Sequence, residues 1–335
     1  MMLNNPAHLG HDELAAASYR PTLVLELGER WSRERLEALL ATLARERDVG
    51  KRMELACREL VGTPFLAESK LPLLPDGCLR FRLETMDCCT AIYNLIALVH
   101  SRDINVLGQS LASIRYADGA LKNHPATGTF LGFASEVLFG RAVAKGFVSN
   151  VTAEVACGVE LQSVRLNLQP HRRPHFLDAN ETIVLPRYAS GSQEFLYISV
   201  ESFSGIDWSR LRTGDIVLFT RGARLKDGSP NFDFVNHLGI ASCEPDKIAL
   251  LHSTRHFTVA PSRPGTGVFY DDACRREQIG FGYAGLFLGE EHAIDIDGDR
   301  IYGYDSSRKR SLVDYAQSNF AGIAVLRCGL PAACP

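Results

Sequence analysis

An α+β domain is the fold class this sequence predicts, and two patterns and their order predict it. Helical periodicity dominates up to Gly146, and from about Val148 short β-branched and aromatic runs punctuated by Gly, Pro and Asn take over. Helices first and strands later suit an antiparallel sheet with helices gathered on it, not alternating βα units. With 335 residues, 46% hydrophobic and 22% charged, the chain can bury a full core without disulfide or metal staples.

Taken in order, residues 1 to about 20 are polar and irregular and read as a loose arm. Trp31 to Arg47 is strongly helical, with Leu36, Leu39, Leu40 and Leu43 as its apolar stripe, and Asp48 to Leu60 gives a second helix. Gly62-Thr63-Pro64-Phe65 ends it, a Pro-rich connection covers residues 66 to 78, and a short strand is expected around Leu79 to Leu83. From Thr90 to Val99, Ile92, Leu95, Ile96 and Val99 recur at the spacing of a buried helix. Val106 to Tyr116 and Phe130 to Gly146 are further helical candidates. Strands are expected at Leu161–Leu166, Ile183–Leu185, Phe195–Val200, Ile216–Thr220, His237–Ser242 and Lys247–Thr254. No internal repeat or low-complexity tract is visible.

Charge and cysteine usage narrow the function classes. A net charge of −3 and a pI near 6.4 give no electrostatic footprint for a nucleic-acid backbone, so no nucleic-acid partner is expected. Arg308-Lys309-Arg310 reads as a solvated loop. The nine cysteines are odd in number and never spaced Cys-x-x-Cys, which suggests reduced thiols and neither a disulfide framework nor a zinc ribbon. The start, Met1-Met2-Leu3-Asn4-Asn5, lacks the basic and apolar regions of a secretory signal, and no apolar run is long enough to span a bilayer. The expectation is therefore a cytosol-like compartment, or export by a non-classical route.

Chemistry concentrates at two places. Asp87, Cys88 and Cys89 fall at the beginning of the buried helix, where unpaired N–H groups and the positive dipole end stabilise a thiolate. The competing reading is an ordinary buried cysteine, since free Cys is among the most buried residue types. Further on, Asn236-His237-Leu238-Gly239-Ile240 and Lys247-Ile248-Ala249-Leu250-Leu251-His252 flank Glu244-Pro245-Asp246-Lys247, a sequence suited to a tight turn. The hairpin so formed leaves His237 and His252 directly opposite or diagonal, within roughly 5–8 Å at Cβ. His237 lies on the strand face away from Leu238 and Ile240, and His252 shares its face with Ile248 and Leu250. A cysteine nucleophile needs a base in reach and a third group to fix the base's tautomer, and Cys88, His237 and His252 supply those roles.

The motif series Gly62-Thr63-Pro64-Phe65, Asp87-Cys88-Cys89-Thr90, Arg115-Tyr116-Ala117-Asp118-Gly119, Gly214-Asp215-Ile216, Asn236-His237-Leu238-Gly239-Ile240 and Leu251-His252-Ser253 resembles that of the N-acetylmuramoyl-L-alanine amidase-like family, distant relatives of NlpC-type cell-wall cysteine peptidases. Val313-Asp314-Tyr315 to Gly322-Ile323-Ala324-Val325-Leu326-Arg327 is similar to the family's closing helix and strand, so the resemblance covers about residues 55 to 327. It implies a papain-like (NlpC-type) core with the catalytic helix packed on an antiparallel sheet and with added N-terminal helices. It also implies Cys88 as nucleophile, His237 as base, His252 as third member, and Asp87 holding the free amine of the substrate's L-alanine. An ordinary N-cap is the alternative role for Asp87 and is compatible with it. By the same pattern, the Cys88 N–H helps form an oxyanion hole.

Three departures accompany the resemblance. Phe65 stands where relatives usually carry tyrosine, Cys89 follows the nucleophile where NlpC-type enzymes carry serine, and residues 256 to 310 lengthen the region before the closing strand. Cys89 is thus the rival to Cys88, and His256 to His252. Within the insertion, Asp295-Ile296-Asp297-Gly298-Asp299 fits an Asp-Gly hairpin turn better than a calcium loop, because the glycine is misplaced and no closing glutamate follows. The expected organisation is an N-terminal arm with helices over 1–55 and an amidase domain over 56–335. The expected activity is hydrolysis of the muramoyl–L-alanine amide or a nearby stem-peptide bond, on a muropeptide substrate and with no cofactor or metal. Acyl transfer to an amine and a non-catalytic binding role are the alternatives.

Overall fold

Four apolar stripes at helical spacing become four helices on one side of a sheet. The computed structural model describes residues 23–60, 63, 79–115, 129–130, 136–168, 176–177, 183–184, 187–188, 191–222, 234–244, 247–253, 258–260, 281–284, 294–296, 299–302 and 312–329. Helix α1 (Arg33–Arg45) begins where Ser32 accepts the Arg35 N–H, and it buries Leu36, Leu39, Leu40 and Leu43. Helix α2 (Val49–Leu60) buries Met53, Ala56, Cys57 and Leu60. Helix α3 (Cys88–Val99) is buried along its whole length from Ala91, and α4 (Ile104–Arg115) packs beside it. β1 (Leu23–Glu26) and β2 (Leu79–Arg82) pair in parallel, with Glu26 bridged to Arg80 and Arg82. β1 is not among the predicted strands. Pro21 and Gly28 bracket its Leu-Val-Leu run and are the signal for it.

After α4 the chain turns to strands, with two corrections to the expectation. The helix predicted over Phe130–Gly146 is not continuous: Thr129–Phe130 is a strand, β3, and Glu136–Ala142 winds as a π-helix. The stretch after β4 (Val148–Asn150) forms a short helix, α5 (Thr152–Ala156), within a region read as strand. Its β-branched residues favour strand locally. Tertiary bonds override them, because the Asn150 side chain accepts the Thr152 N–H and the Thr152 hydroxyl accepts the Val325 N–H.

The remaining strands follow as β5 (Gln162–Leu168), β6 (Phe176–Leu177), β7 (Ile183–Val184), β8 (Arg187–Tyr188), β9 (Gly191–Ser199), β10 (Ile216–Thr220), β11 (Val235–Glu244) and β12 (Lys247–Ser253). The expected insertion supplies β13 (Thr258–Ala260), β14 (Phe281–Ala284), β15 (Ile294–Ile296) and β16 (Asp299–Tyr302), and the chain closes with α6 (Leu312–Asn319) and β17 (Gly322–Cys328). β15 and β16 pair antiparallel around the Asp297-Gly298 position, and β13 joins them. His256, Phe65, the 116–119 motif and the basic triplet at 308–310 lie outside the described residues.

The main sheet is antiparallel, in the order β14-β12-β11-β10-β17-β9-β5 with β4 also on β17, so the closing strand sits in its middle. Alternation along each strand divides two cores. Ile216, Leu218, Leu238, Ile240, Leu251, Ala324 and Leu326 face α1 to α4. Val217, Phe219, Ala241, Leu250, Ile323 and Val325 face α5, the turns over 200–211 and α6. Helices α1 and α2 share the first core with α3. Among the described residues no helix is long and apolar enough to cross a membrane.

A buried ion pair pins the closing strand. Both oxygens of Asp215 are bonded by the Arg327 guanidinium at 2.7 and 2.8 Å, and the Arg212 N–H adds a third bond at 2.9 Å. The residue before it must be glycine: Gly214 has φ +91°, and a Cβ there would lie 2.5 Å from the Gly50 Cα.

Candidate active site

The start of α3 is fixed from both sides. Asp87 is a true N-cap, extended at φ −91°, and its carboxylate accepts the Thr90 N–H at 2.7 Å. On the sheet side the Ser253 hydroxyl donates to the Met86 carbonyl at 2.9 Å, which ties the residue before the cap to the end of β12. Asn94 donates to the Arg82 carbonyl at 2.7 Å and fastens the helix to β2. These bonds explain why a sequence so apolar after Thr90 carries polar groups at Asp87 and Asn94.

The Cys88 thiol reaches the sheet at Leu238, the residue after His237, and the Leu238 backbone N–H is hydrogen-bonded to it. Strand pairing explains the opening. The β11–β12 ladder ends at Ile240↔Leu251, beyond which His252 and Ser253 keep only the pairing with β14 on the other edge of β12. The sulfur lies at the mouth of this parting. Gly239 allows the strands to stay close just inside it, since a Cβ there would lie 2.5 Å from a Leu250 methyl.

His237 and His252 come together at the same parting. Of the two arrangements left open by their spacing, the Ile240↔Leu251 register selects the diagonal one. His237 Nε2 and His252 Nδ1 are hydrogen-bonded, with ring centroids 4.7 Å apart and the rings edge to face. A β-bulge helps to aim His237, because the β10–β11 register shifts between Phe219 and Thr220 at the position of Asn236. Both rings lie on the face of the second core. His237 packs on Phe219, its direct cross-strand partner, and on Phe320, while His252 packs on Tyr315. The thiol therefore belongs to the first core and the imidazole pair to the second, and Leu238, next to His237 on β11, is the residue of the sheet that the thiol reaches.

Electrostatics at the helix start correct one expectation. The dipole end and the Leu238 N–H favour a thiolate, yet the Cys88 pKa is raised well above that of an ordinary thiol. The hydrogen bond with Cys89 is the largest cause, followed by desolvation and the negative charge of Asp87. The residue is half-buried and keeps some solvent contact. The resting group is a thiol. Cys89 accordingly acts on Cys88 as a neighbour that keeps its proton in place.

Four aromatic residues near the site have no site role in the sequence reading. Tyr93, one turn beyond Cys89, is buried under the Arg115 guanidinium, which sits 4.5 Å from its ring centroid, and burial leads the causes that raise its phenol pKa. Its helical spacing from Cys89 is the signal. Phe219, Tyr315 and Phe320 surround the histidine pair, and only the direct strand partnership of Phe219 follows from sequence pattern. Among the described residues no group of three or more His, Cys, Asp and Glu side chains converges to hold a metal ion.

No curated protein matches the chain. Solved structures do, among them the two that follow. The crystal structure of an N-acetylmuramoyl-L-alanine amidase from Bacteroides uniformis is 18% identical, with a TM-score of 0.51 over 84% of this chain and 99% of that one. A Legionella pneumophila protein is 14% identical, with a TM-score of 0.56 over 88% of this chain and 94% of that one. At such identities the likeness carries the fold alone. The family model described as N-acetylmuramoyl-L-alanine amidase-like matches residues 56–259, which span α3 and both histidine strands, and with well over half its length so matched the chain belongs to the N-acetylmuramoyl-L-alanine amidase-like family.

Proposed function

We propose that this chain is a cysteine-dependent hydrolase of the amide that joins the lactyl group of N-acetylmuramic acid to L-alanine in peptidoglycan fragments. Its core is of the papain-like, NlpC-type kind. Cys88 is the nucleophile, His237 the base and His252 the group that fixes the tautomer of the base. The observation that carries this reading is the meeting of a capped helix-start thiol with β11 one residue from a hydrogen-bonded histidine pair.

The reaction follows from these groups. His237 takes the Cys88 proton as the sulfur attacks the lactyl carbonyl, so an unreactive resting thiol becomes a nucleophile only with a substrate in place. Free N–H groups at the start of α3 face the oxyanion that forms, and the Asp87 carboxylate meets the L-alanine ammonium only on the peptide released after the C–N bond breaks. Collapse breaks the C–N bond, and His237 returns its proton to the leaving amine. Water then attacks the thioester, with His237 as base, and releases the acid and the thiol.

The test is mass analysis of muropeptides after incubation with the protein and with Cys88→Ala. Separated muramic acid and free peptide, produced by the parent and absent with the variant, support the assignment. Full turnover by Cys88→Ala would remove it, and an amine conjugate in place of free acid would reassign the chain to acyl transfer. The raised Cys88 pKa favours one further reading, a binding protein without turnover, and intact muropeptides retained by the folded parent would select it.

A further inference from the structure

The histidine pair rests against an aromatic wall contributed by β10, α6 and the residue that follows α6. The ring of Phe320 lies nearly parallel to that of His237, at 9° and 6.2 Å. Phe219 covers His237 from β10 at 5.8 Å. Tyr315 meets both imidazoles edge-on, at 5.2 Å from His252 and 5.9 Å from His237. The three aromatics also touch one another: Phe219 lies 5.4 Å from Tyr315 and 4.9 Å from Phe320, and Tyr315 lies 5.6 Å from Phe320. With separations this small the three lie on one side of His237 and form a single connected wall, not a set of chance neighbours.

The wall is held rigidly. The Phe320 N–H donates to the Ala316 carbonyl at 2.9 Å and closes the end of α6, and the next residue, Ala321, donates to the Thr220 carbonyl at 2.7 Å in the sheet. Phe320 is thus pinned between a helix end and β10, and Tyr315 stands one turn back on the same helix. An imidazole that hydrogen-bonds through Nε2 loses that bond if its ring flips, because the flip exchanges nitrogen and carbon positions. Packing of Phe219, Phe320 and Tyr315 against one side of His237, and of Tyr315 against His252, works against such a flip.

We propose that Tyr315 and Phe320 are positioning residues for catalysis: they hold the His237–His252 pair in the one ring orientation that keeps its hydrogen bond and presents His237 to the Cys88 sulfur. The proposal rests on the amidase reading above for its consequence in turnover, but not for its consequence in imidazole geometry. Tyr315 on α6 is a titratable group in contact with both imidazoles, and the Phe320 variants leave it in place.

The experiment uses the full chain, a soluble N-acetylmuramoyl dipeptide as substrate, and ¹⁵N imidazole spectra of the free protein. Phe320→Leu and Tyr315→Leu should lower kcat about 10–100-fold, as for a misplaced catalytic group, and leave KM little changed. In the same variants the His237 and His252 nitrogens should move from one fixed tautomer towards averaged signals. Phe320→Tyr and Tyr315→Phe should restore both readouts, which a merely structural loss would not separate. Normal kcat and fixed tautomers in the folded leucine variants would overturn the proposal. If the parent turns over no muropeptide while the tautomers average in the variants, the amidase reading fails and the positioning role stands. Should either leucine variant not fold, the conservative pair decides, since Phe320→Tyr with averaged tautomers would also overturn it.

Discussion

The backbone N–H of Leu238 is turned to the Cys88 sulfur, one residue from the ring of His237. A strand N–H within a sheet is normally taken by the neighbouring strand. Here the β11–β12 ladder has already ended at Ile240↔Leu251, so the donor serves the helix start. This one bond joins the start of α3 to β11 beside His237.

Because Cys89 leads the causes that keep Cys88 protonated, removing its thiol should release part of that effect. In Cys89→Ala the Cys88 pKa should fall, the thiolate fraction at pH 8 should rise, and alkylation of Cys88 by iodoacetamide should become severalfold faster. Rates for each cysteine come from peptide mass mapping over a time course. Equal or slower alkylation of Cys88 would mean that desolvation alone holds the proton.

His252 acts through His237 in the proposed mechanism, so its loss should act on kcat. His252→Ala removes the acceptor or donor that fixes the His237 tautomer and should lower kcat by up to about 10⁴-fold, the scale seen when a catalytic histidine loses its orienting partner. A steady-state measurement on a muropeptide checks this. A change confined to KM would assign His252 to substrate binding instead.

The fold and the site were unequally legible in the sequence. Leu36, Leu39, Leu40 and Leu43 announce α1 because one apolar stripe at helical spacing has a single structural solution, and the histidine hairpin follows from alternation plus a Pro-containing turn. The short helix α5 escaped because Val151, Thr152 and Val155 favour strand, and its formation depends on bonds from Thr152 to the distant β17. The Cys88 pKa escaped for a related reason. A helix start predicts its sign from local backbone alone, whereas the enclosure that reverses it comes from Cys89, Asp87 and the sheet together. Tyr315 and Phe320 could not be assigned to the histidines from sequence, since nothing local says that the last helix lies over β11 and β12.

The buried Asp215–Arg327 pair makes a stability prediction independent of any chemistry. Arg327→Ala strands the Asp215 carboxylate in a site where it is almost wholly buried, and the loss should be about 3–5 kcal/mol. The double variant Asp215→Asn/Arg327→Leu leaves no uncompensated charge and should recover much of it. Urea unfolding of the three proteins tests this, and a double variant no better than Arg327→Ala would show that the pair's worth lies in packing or in its bonds to Arg212 and Glu154.

At the far end of α3, His100 makes stability depend on pH. Its Nδ1 faces the Ile96 carbonyl at 2.7 Å and its Nε2 the Gly329 carbonyl at 2.6 Å. Two carbonyls favour the doubly protonated ring, which alone donates from both nitrogens. Burial works the other way and prevails, assisted by the charge of Arg52, so the pKa lies below the ordinary 6.5. With the folded value depressed, the unfolded chain binds a proton first on acidification. The His100 contribution is therefore fully present above about pH 6.5 and is lost as pH falls towards the lower folded value. His100→Gln, which keeps an N–H donor group and cannot titrate, should remove that component. Urea midpoints measured from pH 8 to 5.5 should fall more steeply for the parent than for the variant, and parallel curves would mean that the two carbonyls, not burial, govern the ring.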